Sequence, residues 1–536
     1  MPVTLSSRYQ ASEGLSRYAE REAEEILRIY TTRFPDKRVR LILYEGDNPV
    51  WAAPSIVPGE PALGPEHCGP GFLGIVEGGV EDGEAVTVFS SIPRRPTPAE
   101  REDTEAPWVP STRMLGTLFR VSPLLYEDLR HRHELRRQKE METHQWSPLP
   151  NSTGGARFVP AEPDFGDRRP AVLVGFHWLE VGGAEKLGFD CVRWAQEAGL
   201  RVFVVASVQA LQRLADRLPD SDDVTFIRLD RYLAHGEWAP YVLNLIRQEN
   251  IRLIHIHHCV PLYSALPTVR MMAPWVQVVD STHIIEYSDG GYPRISGVWS
   301  NFIDVHHVIS RELIAMYRDR FHVSNKVRLG RMLDRPEAPR QLPAPNMAAG
   351  KQVLTITFVG RLYYQKRPGL VVLIMKALAD WAGKAGVTLQ FHFVGEGPFE
   401  KACTGLMRRL GLEAMTKLHA AGTDIPALLG QSDILLLPSS NEGLALVCYE
   451  AIEKGAIPLS TDVGSQSEIV PPELLLPRAP RAALKRTVEI VDRMWRDGDF
   501  VAAQGRELAT RYAAVAADPT AREVMMPLYE AVAGTK

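Results

Sequence analysis

The stretch DILLLPSSNEGLALVCYEAIEKG, residues 433–455, decides the architecture of this 536-residue chain. It begins with a continuous apolar run, passes through a short polar loop, and continues as a segment with helical character. An apolar run without alternation predicts a strand that is buried on both faces, which is typical of parallel sheets covered by helices. The stretch therefore predicts a strand–loop–helix unit of an α/β protein.

The same pattern occurs on both sides of a proline-rich break at residues 334–346. Before the break, apolar runs alternate with segments long enough for helices, at residues 171–176, 201–207, 224–229, 251–258 and 276–281. After the break, further runs follow at residues 354–360, 389–395, 417–422, 433–439 and 456–461. We predict two doubly wound, Rossmann-like parallel-sheet domains, residues 171–335 and 350–515, that face each other across a ligand-binding cleft.

The composition excludes several classes of protein. Lysine plus arginine number 61 and aspartate plus glutamate 65, so the net charge of −4 excludes a chain built mainly to coat nucleic acid or an anionic membrane. The five cysteines include no Cys-x-x-Cys pair, which favours a reducing compartment over a disulfide scaffold or a structural zinc site. No signal-peptide pattern opens the chain, and its apolar runs are too short to span a membrane. We expect a cytoplasmic protein, at most peripheral on the inner face of the membrane.

Residues 1–150 differ from the rest and predict an α+β accessory region of unassigned role, with a linker to about residue 170. The expected elements are a helix and three strands, at residues 11–34, 38–44, 71–77 and 85–92. Residues 113–144 have helical periodicity and include the basic stretch LRHRHELRRQKE (129–140). That stretch could touch anionic lipid, but the acidic residues that interrupt it favour a solvated helix packed beside the core.

Charged residues follow two strands of the second domain. Arg361 comes directly after one strand and Lys366 opens the next helix, and two cations at such a turn suit a diphosphate. A solvated basic turn is the alternative. Glu442 lies in the loop of residues 439–445, and Glu450 lies about two helical turns further on, so both carboxylates can face one cleft. The alternative for this pair is a helix cap and a surface charge.

Backbone groups near these residues can also meet a ligand. Gly443 and Leu444 can present free N–H groups where the helix begins. Gly395 belongs to a Gly-x-Gly turn that permits close approach of a ligand, although tight turns use this pattern widely. The histidines of the run IHIHH (254–258) are expected to line the cleft rather than to bind a metal, because no carboxylate lies near them in the sequence.

Taken in order, these motifs resemble those of glycosyltransferase family 4, whose members have the GT-B fold and transfer a sugar from a nucleotide-sugar with retention. The resemblance covers about residues 171–536. It rests on Gly182-Gly183-Ala184-Glu185, IHIHH (254–258), DSTHIIE (280–286), FIDVHHVIS (302–310), VGRLYYQK (359–366), VGEGP (394–398), TDIPALLGQSDILLLPSSNEGLALVCYEA (423–451) and TDVGSQSEIV (461–470).

The resemblance implies roles for individual residues. Arg361 and Lys366 match the pair that holds the donor diphosphate, a role that needs no divalent metal. Glu450 matches the residue that binds the ribose hydroxyls, and Glu442 matches the one beside the donor sugar. On the other side of the cleft, His283 matches a histidine that contacts the donor sugar. Further donor contacts are expected at Gly182, Gly183, Gly395, Gly443, Leu444, Leu446 and Val447.

The implied function is that of a retaining, metal-independent hexosyltransferase without a bound cofactor. The donor would be a UDP- or GDP-linked sugar and the acceptor a glycan, a lipid or a protein, as in polysaccharide or cell-envelope synthesis; no nucleic-acid partner is expected. Front-face transfer and double displacement through Glu442 both stay open. The final helix, in residues 516–536, would start at Asp518 and cross back to the first domain. A nucleotide-sugar 2-epimerase and a non-catalytic nucleotide-sugar-binding protein are the alternatives.

Two segments depart from the family pattern. VRLGRMLDRP (327–336) stands where the family has an Asn-Gly-Val/Ile-Asp run, so we expect a hinge of different shape. NEGLAL (441–446) lacks the aromatic residue that often follows the glycine, which leaves the donor sugar open.

Overall fold

A computed structural model describes residues 16–46, 54–64, 68–69, 71–95, 112–144, 146–150, 160–180, 183–333, 341–420 and 422–534. Its first part contains helix α1 (Arg17–Arg33) and a mixed sheet with the spatial order β2-β4-β1-β3. The strands are β1 (Arg38–Gly46), β2 (Ser55–Pro58), β3 (Phe72–Gly79) and β4 (Ala85–Pro93). The sequence did not predict β2, which lies in a stretch rich in proline and glycine.

Two helices, α2 (Arg113–Val121) and α3 (Pro123–Met141), replace the single helix expected at residues 113–144. The break falls at Ser122, whose φ of −141° and ψ of 76° are not helical. A proline disfavours helical geometry in the residue before it and suits the first turn of the next helix. The two helices therefore form a hairpin, which we call the α2–α3 hairpin.

The first large sheet has parallel strands in the order β11-β10-β9-β8-β5-β6-β7. Its strands are β5 (Ala171–Phe176), β6 (Arg201–Ala206), β7 (Val224–Ile227), β8 (Ile251–His257), β9 (Gln277–Thr282), β10 (Val305–Val308) and β11 (Val327–Leu329). Its helices are α4 (Gly183–Glu197), α5 (Leu229–Tyr232), α6 (Trp238–Glu249), α7 (Val260–Met272), α8 (Gly291–Val298) and α9 (Arg311–Phe321). Strands β10 and β11 were not predicted as part of this sheet, because runs of three or four residues carry little periodicity.

The second large sheet is also parallel, in the order β14-β13-β12-β15-β16-β17. Its strands are β12 (Val353–Val359), β13 (Thr388–Val394), β14 (Thr416–His419), β15 (Ile434–Leu437), β16 (Ile457–Thr461) and β17 (Leu475–Leu476). Its helices are α10 (Pro368–Ala385), α11 (Glu400–Arg409), α12 (Ile425–Leu429), α13 (Leu446–Glu453), α14 (Pro480–Arg496) and α15 (Gly498–Ala516). Every residue of β5, β15 and β16 is buried, as their continuous apolar runs predict. The predicted GT-B architecture of two doubly wound sheets is confirmed.

The N-terminal elements are divided between the two domains rather than forming one separate unit. Helix α1 packs on α6 of the first domain, where the Tyr30 hydroxyl donates to the Tyr232 carbonyl at 3.0 Å. Arg33 pairs with Glu237 at 2.6 Å beside it. The α2–α3 hairpin instead packs on α10 and α14 of the second domain. The described helices of the first 150 residues thus pack on both halves of the molecule.

The last helix, α16 (Ala521–Ala533), returns to the first domain and packs on α4. Its N-cap is Thr520, which forms a capping box with Glu523. The predicted start at Asp518 is therefore wrong. The Asp518 carboxylate instead accepts from the buried Arg331 guanidinium, with the Nε–Oδ2 distance at 3.0 Å, and so joins the crossover to the end of β11. Among the described helices, none has the length and apolarity needed to cross a bilayer.

Candidate active site

The loops that follow β12 and β15 meet at the carboxyl edge of the second sheet. These two strands are neighbours although they are not consecutive in the chain, so a crevice opens between their loops. The Ser440 N–H donates to the Gln365 carbonyl at 2.7 Å, and the Gln365 amide donates to the Asn441 carbonyl at 3.1 Å. The loop that contains Lys366 and the loop that contains Glu442 are therefore hydrogen-bonded to each other.

Lys366 and Glu442 are paired within this group. The Lys366 Nζ atom lies 2.5 Å from Glu442 Oε1, and Glu442 is only 5% exposed. Among the described residues, no carboxylate lies within ion-pairing distance of Arg361, whose guanidinium carbon lies 5.0 Å from the centroid of the Tyr363 ring. Lys366 is thus in direct contact with a carboxylate, whereas Arg361 is not, which leaves its guanidinium donors for an added anion.

The loop after β15 also touches the first domain. A Cβ atom on Gly443 would lie 1.6 Å from the His283 carbonyl oxygen, so only glycine permits this contact. The Ile285 N–H donates to the Glu442 carbonyl at 3.4 Å. The contact brings together Glu442 and His283, which the sequence placed on opposite sides of the cleft.

His283 is 5% exposed, and neither of its ring nitrogens has a hydrogen-bond partner among the described residues. Burial, reinforced by neighbouring histidines, holds the pKa of His283 well below its ordinary value. Its imidazole is therefore neutral near pH 7. A neutral imidazole has one donor and one acceptor, which suits a hydroxyl group.

Helix α4 contributes two charged residues whose roles the sequence did not reveal, Glu185 and Lys186. Glu185 Oε1 accepts from the Trp178 indole at 2.8 Å. Burial raises the pKa of Glu185, and the positive charge of Arg361 across the cleft opposes that rise. Burial likewise raises the pKa of Glu450, opposed by Lys186. Charged residues of the first domain thus interact electrostatically with charged residues of the second. In the sequence, the only indication of this role was that Glu185 and Lys186 follow the Gly182-Gly183 loop.

The remaining predicted donor contacts lie close to this group. Helix α13 begins at Leu446, so the N–H groups of Leu446 and Val447 have no acceptor within the helix. Leu444 is buried and directly precedes that helix start. Contact of these groups with a donor stays a prediction.

Of the three other glycines predicted to contact the donor, the structure describes Gly183 and Gly395 but not Gly182. Gly395 has a φ of +135°, and a Cβ atom there would lie 2.0 Å from the Gly360 carbonyl oxygen. Packing of its turn against the Arg361 loop already requires this glycine, and its contact with a donor stays a prediction. Gly183 opens helix α4, whereas Gly182 lies outside the described residues.

One histidine of the run IHIHH (254–258) belongs to a buried chain of hydrogen bonds. His255 does not line the cleft as expected but is fully buried between Tyr529 of α16 and Ser281 of β9. The Gly330 carbonyl can only accept, which fixes the direction of every proton along the chain. The bonds run from Tyr529 to His255 at 2.7 Å, from His255 to Ser281 at 2.8 Å, from Ser281 to His307 at 2.9 Å and from His307 to Gly330 at 3.0 Å.

Cys191, His255 and His257 each place one metal-ligating atom within 4.8 Å of the others. Both ring nitrogens of His255 already take part in the hydrogen-bonded chain. A metal at this position would have to displace Tyr529 or Ser281. The local geometry therefore supports a hydrogen-bonded core rather than a preformed metal site.

One family model matches part of the second domain. Residues 345–476 match the family model described as glycosyl transferases group 1. The gpi3 subunit of phosphatidylinositol N-acetylglucosaminyltransferase from Schizosaccharomyces pombe is 24% identical over 321 residues, which cover 56% of this chain and 67% of that protein.

Two solved structures are also similar. A mutant of S. aureus TarM, in complex with fondaparinux, alpha-GlcNAc-glycerol and UDP, aligns with a TM-score of 0.41 and 13% identity over 55% of this chain. The aligned part is 59% of that chain, less than two thirds of its length. Anabaena Alr3699/HepE in complex with UDP-glucose aligns with a TM-score of 0.47 and 14% identity, over 67% of this chain and 98% of that one. The segment that is similar to the glycosyl transferases group 1, residues 345–476, contains Arg361, Lys366, Glu442 and Glu450.

Proposed function

We propose that the protein transfers a hexose-type sugar from a UDP- or GDP-linked donor to a glycan, lipid-linked or protein acceptor, with retention of configuration. The observation that carries the proposal is the 2.5 Å pair of Lys366 and Glu442 at the carboxyl edge of the second sheet, in contact with the backbone of His283. A cation and a carboxylate thus lie side by side where the two domains meet, which suits a charged diphosphate joined to a hydroxyl-rich sugar.

The leaving diphosphate would be stabilised by Arg361 and Lys366. Fixed cations lower the barrier most when they meet charge that develops in the transition state. The Lys366 ammonium has three donors, so it can hold Glu442 with one and reach a phosphate oxygen with another. Arg361 has a planar guanidinium that can bind two phosphate oxygens at once. In this proposal no divalent metal takes part.

In front-face transfer, the bond from the sugar C1 to the phosphate oxygen breaks while the acceptor oxygen bonds to C1 from the same side. The departing phosphate oxygen takes the proton of the acceptor hydroxyl. Glu442 would then orient the sugar and stabilise positive charge on its ring, rather than form a covalent bond. His283 would bind a sugar hydroxyl, and Glu450 would bind the ribose.

Nucleotide binding tests the donor half of the proposal. UDP, GDP, ADP and their sugars would be screened by thermal unfolding, with and without a chelator. A ligand at about 100 times its dissociation constant adds about 2.7 kcal/mol to the free energy of unfolding. We expect one base to stabilise wild type under both conditions, and Arg361→Ala to lose that effect while Arg217→Ala, an exposed arginine elsewhere, keeps it.

Absence of stabilisation by every nucleotide would refute the donor site. Stabilisation that disappears with the chelator would contradict metal independence. Stabilisation that persists in Arg361→Ala would remove this residue from the diphosphate site.

Donor breakdown tests catalysis separately from binding. We expect Glu442→Gln to keep nucleotide binding but to release nucleoside diphosphate from the donor at least about 100-fold more slowly than wild type. Unchanged release would refute the role of Glu442. Wild-type conversion of the donor to the free 2-epimer of its sugar would favour an epimerase, and binding without turnover would favour a nucleotide-sugar-binding protein.

A further inference from the structure

The α2–α3 hairpin exposes apolar side chains to an unusual degree. Five of the ten exposed large hydrophobic residues in the described part of the chain belong to it: Met114, Val121, Leu125, Leu129 and Leu135. Met114 and Val121 are 76% and 78% exposed. Single exposed apolar residues are normal in soluble proteins, whereas a cluster marks a surface that binds something.

The exposed residues of α3 form a stripe opposite its packed face. At 100° per residue, Leu125, Leu129, Arg132 and Arg136 fall within a narrow sector of the helix. The buried residues Tyr126, Glu127 and His131 lie on the other side. One face of helix α3 thus packs on the second domain. Its opposite, exposed face carries both leucines and arginines.

The exposed charge on the hairpin has one dominant sign. Between residues 113 and 141, all of which the structure describes, Glu140 is the sole exposed carboxylate. The exposed cations of the same segment are Arg113, Arg120, Arg132, Arg136, Arg137 and Lys139. A surface that combines leucines with arginines complements the headgroup region of an anionic bilayer, where apolar chains and phosphates lie side by side.

The α2–α3 hairpin is held in place by side-chain contacts on its inner face. Its apolar residues are therefore exposed on a helix that is firmly packed. The rings of Phe119 and Tyr126 meet edge to face at 5.3 Å and join the two helices. The Arg130 guanidinium lies 3.1 Å from the centroid of the Tyr364 ring, within the loop that carries Lys366. Asp128 pairs with Arg481 of α14.

We propose that the outer face of the α2–α3 hairpin docks the protein on an anionic membrane. Its leucines would enter the headgroup layer while Arg132 and Arg136 pair with lipid phosphates. The complementary charge is what favours a lipid surface over an apolar groove of another protein. The inference goes beyond the proposed transfer and does not depend on it, because vesicle binding needs neither donor nor acceptor.

Vesicle binding by the full chain tests the inference. The protein would be sedimented with vesicles of phosphatidylcholine alone or with about 30% phosphatidylglycerol, at low and high salt. We expect binding only to the anionic vesicles and weaker binding at high salt. The variants Leu125→Ser/Leu129→Ser and Arg132→Glu/Arg136→Glu should each lower the partition coefficient by about tenfold or more.

Matched substitutions elsewhere serve as controls. Met271→Ser/Leu418→Ser and Arg217→Glu/Arg506→Glu change exposed residues of similar character outside the hairpin and should bind like wild type. Thermal unfolding would check that every variant is folded. Equal binding by hairpin variants and controls, or no binding of wild type to anionic vesicles, would overturn the inference. So would a wild-type dimer that dissociates in the hairpin variants, since the surface would then bind a second copy of the chain.

Discussion

The two sheet domains share one topology but differ in how many ionisable side chains their strands bury. Strands β8, β9 and β10 of the first domain bury Asp280, Ser281 and four histidines, all but one of them hydrogen-bonded to each other or to neighbouring residues. Strand β15 of the second domain buries only isoleucine and leucine. A doubly wound sheet therefore accepts a polar interior as readily as an apolar one, provided that the polar groups find partners. Strand β15 depends on packing alone, whereas the polar residues of β8, β9 and β10 depend on their hydrogen-bond partners as well.

The largest expected effect comes from breaking the polar core at Asp280. Asp280 Oδ1 lies 2.7 Å from His306 Nδ1, and the Tyr263 hydroxyl donates to Oδ2 at 2.9 Å. Burial acts to raise the pKa of Asp280, but His306 and hydrogen bonds outweigh it and hold that pKa below its ordinary value. Asp280→Ala leaves the Tyr263 hydroxyl buried without this acceptor and removes the carboxylate from His306, which keeps only its contacts with Ser296 and Ser300. We expect a loss of about 3–5 kcal/mol in the free energy of unfolding, measured with urea.

The matched change in the second domain is Asp433→Ala. Asp433 is also buried, but its partner Lys351 is 37% exposed and can return to water. The Thr355 N–H, which donates to Asp433 at 2.8 Å, is the group left unpaired. We expect a smaller loss, about 1–3 kcal/mol. Equal losses in the two variants would contradict the contrast between the two cores.

The next effect concerns the seam where the domains meet. A methyl group in Gly443→Ala would collide with the His283 carbonyl and separate the two sides of the candidate site. A shift of about 1 Å in such a site can cost about 100-fold in rate, so we expect donor breakdown to slow by that factor. The same assay on Gly405→Ala, where a Cβ atom meets nothing within 4 Å, gives the control. Wild-type rates in Gly443→Ala would show that the contact is not needed.

The smallest effect is a change in pH dependence. Burial lowers the pKa of His255 and of His258 to about 3 and that of His307 to about 4, and it holds the pKa of His257 well below its ordinary value. Between the folded and unfolded pKa values, only the unfolded chain binds the proton. The stability from these groups is therefore complete above about pH 6.5 and is lost as the pH falls.

His257→Leu removes one of these groups, and neither ring nitrogen of His257 has a partner to lose among the described residues. We expect its free energy of unfolding to fall by about 2 kcal/mol less than that of wild type between pH 7 and pH 5. Urea unfolding at the two pH values measures this difference, with His235→Leu at an exposed position as the control. The same fall in His257→Leu and wild type would refute the neutral state of the buried histidine.

Some residues of the candidate site could be predicted from the sequence, and others could not. Arg361, Lys366, Glu442 and Glu450 were found from their spacing after two apolar runs, because a parallel strand brings the loop at its carboxyl end to the crevice. Lys186 was missed, because nothing near it in the chain indicates that it faces Glu450. The break of the hairpin at Ser122 was missed too, although Pro123 was its local cause.

The sequence by itself determined the elements whose causes are local. Continuous apolar runs specified the buried strands, and turn residues between them specified the loops that carry the charges. Only the tertiary structure decided the contacts whose partners lie far apart in the chain. His255 and Tyr529 are separated by 274 residues, and Lys366 and Glu442 by 76. Such pairs depend on how two sheets and a returning helix pack, and packing leaves no periodic trace in the sequence.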